Sequence, residues 1–174
     1  MVFMARHIDS KILGAIAIVF CTAGINTVRA QEVVTERQIS LPLANAAAMA
    51  TIERCRADKQ RVTVTVVDRG GNIKAVLRDD GAGLHTVDTS YRKAFTALTF
   101  QIPTSEFVRR SENNPGLRSI EGAIALAGGL PIRSENEVIG AIGVGGAPSG
   151  DADAACAQAG INSIANRLQT NRRR

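Results

Sequence analysis

The segment RDDGAGLHTVDTSYRKAFTAL, residues 78–98, holds the side chains of this 174-residue chain best suited to chemistry. It includes His85, one of 2 histidines, and an imidazole can ligate a metal or move a proton near neutral pH. Arg78, Arg92 and Lys93 flank the histidine and could bind a carboxylate through charge-assisted hydrogen bonds. Nearby carboxylates could pair with these bases instead, namely Asp79, Asp80 and Asp88. The segment is therefore a candidate binding site for an organic acid.

Two patterns in this region could support catalysis, but neither is complete. Asp79 and Asp80 are adjacent carboxylates, which act as an acid–base pair only when they are buried together; a following glycine favours a turn instead. Ser90 or Ser105 could act as a nucleophile with His85 as base, yet the chain has no G-x-S-x-G elbow. The single histidine of this segment also cannot form a His-rich zinc site. Whether the protein is an enzyme stays open at this point.

The N-terminus has the pattern of an export signal. Arg6 and Lys11 precede an apolar run, ILGAIAIVFCTAGI, which is followed by the small-residue motif VRA. This pattern predicts a cleaved signal peptide over residues 1–30, with the mature chain beginning at Gln31. An uncleaved membrane anchor is the alternative, but a run of roughly 14 residues is short for a spanning helix. The prediction is a periplasmic or secreted protein without stable membrane insertion, in which His85 is the only histidine.

Charge and cysteine content narrow the class further. The formal net charge is +5, but all of it lies in the RRR tail at 172–174 and in the predicted signal peptide, so the body is close to neutral. Without a basic stripe or interleaved aromatics, the chain is not expected to bind nucleic acid. The mature chain keeps Cys55 and Cys156, which in an exported protein are expected to form a disulfide. Two buried free thiols are the alternative.

The mature chain, residues 31–174, is long enough for one domain with its own core. Periodicity predicts, in order, a helix over about 42–58, a hairpin over about 61–79, helices over about 87–100 and 104–112, a second hairpin over about 131–146 and a helix over about 148–170. Residues 33–41 fit a strand or an arm, and residues 117–129 fit either a helix or a strand. Asp151 or Asp153 is expected to cap the last helix. Two hairpins among helices predict a mixed α/β (α+β) fold with an antiparallel sheet.

Two of the predicted strands carry patterns that concern packing. The strand RVTVTVVD alternates valines with Thr63 and Thr65, which predicts that one face is buried. The strand VIGAIGVGG has Gly140, Gly143 and Gly145. Because glycine has no Cβ, another element can pack close against this strand.

Five blocks of the sequence resemble the GlcG/HbpS family, which includes haem-binding proteins and relatives of the PduO C-terminal domain. The blocks are VTVVDRGGNIKAVLRDDGAG, RKAFTALTF, GGLPI, VIGAIGVGG and SGDAD, in the order of that family. The resemblance runs from about Leu43 to Leu168, so it implies a single GlcG/HbpS-like domain with a profilin-like fold. Several members of the family form oligomers, and some bind haem or degrade it. A homo-oligomer is therefore expected here.

The resemblance implies haem as a possible cofactor, and haem iron accepts His, Met, Cys or Tyr from proteins. His85 is then the favoured iron ligand and Tyr91 the second choice, while the Thr86 hydroxyl would suit a loosely held haem. Bases near this loop would neutralise the haem propionates, Arg78 and Lys93 first because the family motif also carries bases there. The implied site lies between the loop at 80–86, the helix after it and the glycine-rich strand. Its members are His85, Thr86, Tyr91, Arg78, Arg92 and Lys93.

These observations favour a periplasmic or extracellular small-molecule-binding protein, with haem or a related tetrapyrrole as the ligand. One alternative is an oligomeric accessory or sensing protein without catalysis. The other is an enzyme that acts on haem or on a small carboxylate. Loss of turnover on replacing His85 or Lys93 would distinguish the enzyme from the binding protein.

Overall fold

A computed structural model describes residues 33–168. The predicted signal peptide and the arginine tail lie outside the described residues. The elements in chain order are α1 (Leu41–Ala57), β1 (Thr63–Asp68), β2 (Ile73–Arg78), α2 (Thr86–Phe100), α3 (Thr104–Asn113), β3 (Gly129–Ser134), β4 (Glu137–Gly145) and α4 (Gly150–Leu168). A short 3-10 helix, Pro115–Ser119, follows α3. Each predicted helix and both hairpins are confirmed.

The four strands form one antiparallel sheet in the order β2-β1-β4-β3. Each hairpin supplies two neighbouring strands, and β1 pairs with β4 in the centre, from Thr63 opposite Gly145 to Asp68 opposite Gly140. The predicted mixed α/β fold with an antiparallel sheet is therefore confirmed.

Helices α1 and α4 cover one face of the sheet. Their apolar side chains pack on the even-numbered residues of β1, such as Val64 and Val66, and on Ile142 of β4. The expected disulfide joins the two helices, since Cys55 and Cys156 are bonded with their Cα atoms 5.6 Å apart. Both cysteines are buried. The bond thus ties together the two helices that cover this side of the core.

Helix α2 covers the opposite face of the central strands. Thr63 and Thr65 of β1 are fully buried under it, so the prediction of a single buried face in this strand was wrong. The hydroxyls of Thr63 and Thr86 lie 2.6 Å apart, and those of Thr65 and Ser90 lie 2.8 Å apart. The alternation of valine and threonine predicts one apolar face. Threonines can be buried on the other face as well when their hydroxyls are hydrogen-bonded to a helix.

Gly143 of β4 lets α2 approach the sheet closely, in line with the prediction that another element packs close against this strand. A Cβ on Gly143 would lie 2.1 Å from the Ser90 carbonyl oxygen and 2.5 Å from the Ala94 nitrogen. The space beside this part of the strand is therefore filled by α2 and is closed to a ligand. This close contact fixes the position of the first half of α2 relative to β4.

Residues 117–129 are ambiguous between helix and strand in the sequence. The 3-10 helix ends at Ser119, β3 begins at Gly129, and residues 120–128 form an irregular segment beside α2. Arg92 donates a hydrogen bond to the Ala123 carbonyl, and the Ile124 backbone N–H donates to the Thr96 hydroxyl. These contacts hold the segment against the helix. Residues 35–40 have no regular secondary structure, and the Ile39 backbone N–H donates to the Ile139 carbonyl of β4. Among residues 33–168, no helix has the length and apolar run needed to cross a bilayer.

Candidate functional site

A cleft of about 540 Å³ lies where the N-terminal halves of α2 and α4 meet. Residues 83–93 form one wall, residues 146–151 form another, and residues 125–127 with Val108 close the third side. The third wall is packed tightly against the start of α4, since a Cβ on Gly150 would lie 2.7 Å from the Ala127 Cβ. The volume is within the usual range for a small-molecule site.

A buried ion pair forms part of the cleft lining. The Lys93 ammonium donates a hydrogen bond to Asp153 Oδ2 at 2.6 Å, and each side chain is only 4% exposed. The other oxygen of Asp153 accepts the Ala147 backbone N–H at 3.0 Å. Burial raises the pKa of Asp153, while the hydrogen bond and charge of Lys93 act in the opposite direction. The pair therefore brings α2 and α4 together at the cleft.

Gly128 leaves room for this ion pair. Its φ is +120°, a conformation that L side chains rarely adopt, and a Cβ there would lie 2.9 Å from Lys93 Nζ. The same Cβ would lie 2.7 Å from the Cβ of Asp153. A side chain at this position would therefore displace the ammonium or the carboxylate.

His85 also lines the cleft and is exposed to solvent. It precedes α2 at the N-cap position with helical backbone angles. Its ring lies over Gly83, where a Cβ would be 2.8 Å from the His85 Cε1. Within residues 33–168, the imidazole makes no hydrogen bond, so neither ring nitrogen is engaged by a protein partner.

Thr86 lines the cleft as well, but its hydroxyl is engaged by the protein. It donates to the Gly83 carbonyl at 2.6 Å and lies 2.6 Å from the hydroxyl of Thr63. These bonds fix the turn that presents His85. The predicted role of Thr86 as an iron ligand would require this hydroxyl to leave its partners.

The other predicted site residues lie away from the cleft. Arg78 donates to the Ala82 carbonyl and lines a separate depression near α1. Tyr91 is half-buried with its ring 6.2 Å from that of Phe95. The Arg92 guanidinium donates to the backbone of the irregular segment.

Helix geometry explains this division of the predicted site. Positions 86, 89 and 93 are three and four residues apart and share one face of α2, which is the face that lines the cleft. Tyr91 and Arg92 are neighbours of Lys93 in the sequence but point to other sides of the helix. The structure therefore brings together His85, Thr86 and Lys93, and it leaves Arg78, Tyr91 and Arg92 outside the cleft.

Asp153 is the site residue that the sequence did not identify. It was expected as a possible cap of the last helix, and Lys93 was expected to pair, if at all, with Asp79, Asp80 or Asp88. Lys93 instead pairs with Asp153, 60 residues further along the chain. The SGDAD block marks the position, but no local pattern shows which base that acid meets.

Asp79 has a structural role next to the separate depression. It is 4% exposed and accepts hydrogen bonds from Arg56 at 2.6 Å and from Arg61 at 3.3 Å. The hydrogen bonds of Arg56 lower the pKa of Asp79 to about 2, although burial acts in the opposite direction. The Ala82 N–H donates to the Asp79 carbonyl, so this residue holds the turn that its position before Gly81 predicts.

The pKa of Asp79 leads to a prediction for acid stability. Because this pKa is about 2 in the folded protein and 3.8 ordinarily, ionised Asp79 contributes about 2 kcal/mol that is fully present above about pH 4 and declines as the pH falls through 2. Asp79→Asn should lower the free energy of unfolding by about 2 kcal/mol near neutral pH. The difference from the wild type should shrink below pH 4.

Urea unfolding across this pH range measures the effect. Asp80→Asn is the matched control, because Asp80 is exposed, and it should leave the free energy of unfolding almost unchanged. A difference between wild type and Asp79→Asn that stays constant from neutral pH to pH 2 would contradict the argument.

An antiparallel four-stranded sheet between helical layers, with a ligand-sized cleft at one end, defines a class of mixed α/β proteins. The chain belongs to the HbpS-like family. The family model described as "Haem degrading protein HbpS-like" matches residues 39–162. The resemblance found in the sequence is therefore confirmed over most of the described chain.

Several known proteins are similar to this chain. A double mutant of Streptomyces reticuli HbpS is 42% identical with a TM-score of 0.76, covering 78% of this chain and 93% of that one. Klebsiella pneumoniae ORFY is 28% identical with a TM-score of 0.74, covering 78% and 97%. PduOC, crystallised as a haem complex, is 25% identical with a TM-score of 0.67, covering 73% and 95%. A 15.0 kDa protein from the dhaT–dhaS intergenic region of Citrobacter freundii is 32% identical, covering 62% of this chain and 80% of the relative.

Proposed function

We propose that the protein binds haem or a related tetrapyrrole in the cleft, with His85 as the iron ligand. The observation that carries this proposal is the exposed imidazole of His85, free of protein hydrogen bonds among the described residues, on the lining of a cleft of about 540 Å³. Membership of the HbpS-like family and the similarity to a PduOC–haem complex support haem as the ligand.

The chemistry of the lining suits an apolar macrocycle. Val108, Leu126 and Pro148 contribute apolar surface to the walls. Leu126 is 49% exposed, and Leu84, next to His85 in the chain, is 85% exposed. Covering exposed apolar side chains stabilises a complex by about 25 cal/mol per Å² of buried surface. A porphyrin ring held at His85 would gain from this contact.

The cleft offers few positive charges to the haem propionates. Lys93 is the only cation in the described lining, and its charge is already paired with Asp153. Arg78 and Arg92 do not line the cleft. We therefore expect the propionates to remain in solvent, and haem affinity to depend on His85 more than on any of these bases. When bound, haem would supply iron-centred redox chemistry.

A haem titration followed by absorbance tests the proposal. Wild-type protein should shift the Soret band of added haem, and His85→Ala should weaken binding at least about tenfold, because a ligand bond to the iron is lost. Tyr91→Phe is the matched control: Tyr91 was the second candidate ligand, but it lies outside the cleft lining. This variant should bind haem like the wild type.

Two results would reject the proposal. The first is the absence of a Soret shift with the wild-type protein. The second is a His85→Ala variant that binds haem as tightly as the wild type with the same spectrum.

We also propose that the protein works in the periplasm or outside the cell, as a homo-oligomer. The buried Cys55–Cys156 disulfide supports export, since disulfides persist mainly in oxidising compartments. The edge strand β2 supports self-association, because Ile73 and Val76 are 55% and 38% exposed on it. An exposed edge strand is a ready surface for a further strand or another copy of the chain.

A further inference from the structure

The Lys93–Asp153 pair has no role in haem binding as proposed above, yet it lines the same cleft. A buried ion pair is costly to desolvate, and apolar residues of similar size often serve stability as well or better. Such a pair on a cleft wall points to a use beyond holding two helices together. Lys93 carries three N–H donors, and Asp153 accepts one of them.

The surroundings of the amine favour a reacting group. Lys93 Nζ lies beside Gly128, where any Cβ would be 2.9 Å away, and its carboxylate partner is fixed by the Ala147 N–H. The nitrogen therefore has the Asp153 carboxylate at hydrogen-bond distance and Gly128, which has no side chain, beside it. A lysine amine must be uncharged to attack a carbonyl, and an adjacent base that takes its proton supplies this neutral nucleophile.

We propose that Lys93 forms an imine with a small aldehyde or ketone in the cleft, with Asp153 as the proton carrier. The Lys93 ammonium first gives one proton to the Asp153 carboxylate. The neutral amine then attacks the carbonyl carbon, a C–N bond forms, and a proton moves from nitrogen to the former carbonyl oxygen. Asp153 returns its proton to this hydroxyl, the C–O bond breaks and water leaves. The products are a protonated imine on Lys93, an ionised Asp153 and one water molecule.

The position of Asp153 suits both proton transfers. Its Oδ2 is 2.6 Å from the amine nitrogen, so the first transfer needs no movement of either side chain. Burial raises the pKa of Asp153, which makes this carboxylate a better proton acceptor than an exposed aspartate. The inference is independent of haem, because it concerns the amine and its carboxylate alone.

Reductive trapping on the full-length, haem-free protein tests the inference. Acetaldehyde with sodium cyanoborohydride converts any imine to a stable alkyl-lysine, and peptide mass mapping then reports the rate at each lysine. Lys59 is exposed and the side chain of Lys74 is 27% exposed, so burial alone predicts that Lys93 reacts slowest. The proposal predicts the reverse, with Lys93 labelled at least about tenfold faster than either control.

Asp153→Asn provides the second arm of the test. The amide can still accept the Ala147 N–H but cannot take a proton from Lys93, so labelling of Lys93 should fall at least about tenfold while Lys59 is unaffected. Labelling of Lys93 no faster than that of Lys59 in the wild type overturns the proposal, and so does equally fast labelling of a folded Asp153→Asn variant. If this variant does not fold, the wild-type rates alone decide. The haem titration is unaffected by either result.

Discussion

Replacing Cys55 by serine should lower the free energy of unfolding by about 3 to 5 kcal/mol. The disulfide joins positions 101 residues apart, and a cross-link over a loop of that length removes much of the conformational freedom of the unfolded chain. Both sulfurs are buried between α1 and α4, so a serine hydroxyl would also enter the apolar core. Chemical unfolding in urea under oxidising conditions measures the loss.

The Cys55→Ser, Cys156→Ser double variant separates the cross-link from the effect of a lone buried thiol. Its stability should match that of the single variant to within about 1 kcal/mol and should not respond to dithiothreitol. Wild-type protein treated with dithiothreitol should lose a similar amount. Equal stability of oxidised and reduced wild type would show that the cross-link does not stabilise the fold.

Local sequence patterns predicted most of the helices and strands because each of these elements is formed by residues that are close in sequence. Apolar spacing located the helices, and the RGGN turn between two short apolar strands predicted the first hairpin. Whether a strand has one or two buried faces depends on what packs on the second face. Thr63 and Thr65 look like solvent-facing residues until α2 lies over them and bonds to their hydroxyls.

The site was predicted in part for the same reason. His85, Thr86 and Lys93 lie at the start and in the first half of α2, so one segment of sequence brings them together. Asp153 reaches the site only because α4 packs near α2, and this arrangement depends on the whole fold. Conversely, Arg92 is adjacent to Lys93 but faces the irregular segment, because successive helical residues point about 100° apart.

Gly143→Ala should have the other large effect on stability, because the added methyl group would meet backbone on α2. The new Cβ would lie 2.1 Å from the Ser90 carbonyl oxygen and 2.5 Å from the Ala94 nitrogen. Backbone atoms cannot rotate away as a side chain can, so α2 must move off the sheet. That movement would break the Thr65–Ser90 hydrogen bond. We expect a loss of about 4 kcal/mol or more, or no soluble protein.

Gly145→Ala is a matched control on the same face of β4. Its Cβ would be no closer than 3.4 Å to any atom of α2, which is ordinary contact, so the expected loss is below about 1 kcal/mol. Urea unfolding of both variants compares their free energies of unfolding. If Gly143→Ala does not fold, the yields of soluble protein are compared instead. A Gly143→Ala protein as stable as Gly145→Ala would mean that α2 does not pack tightly against β4. Because α2 carries Lys93 and forms one wall of the cleft, the position of that wall would then not be fixed by this contact.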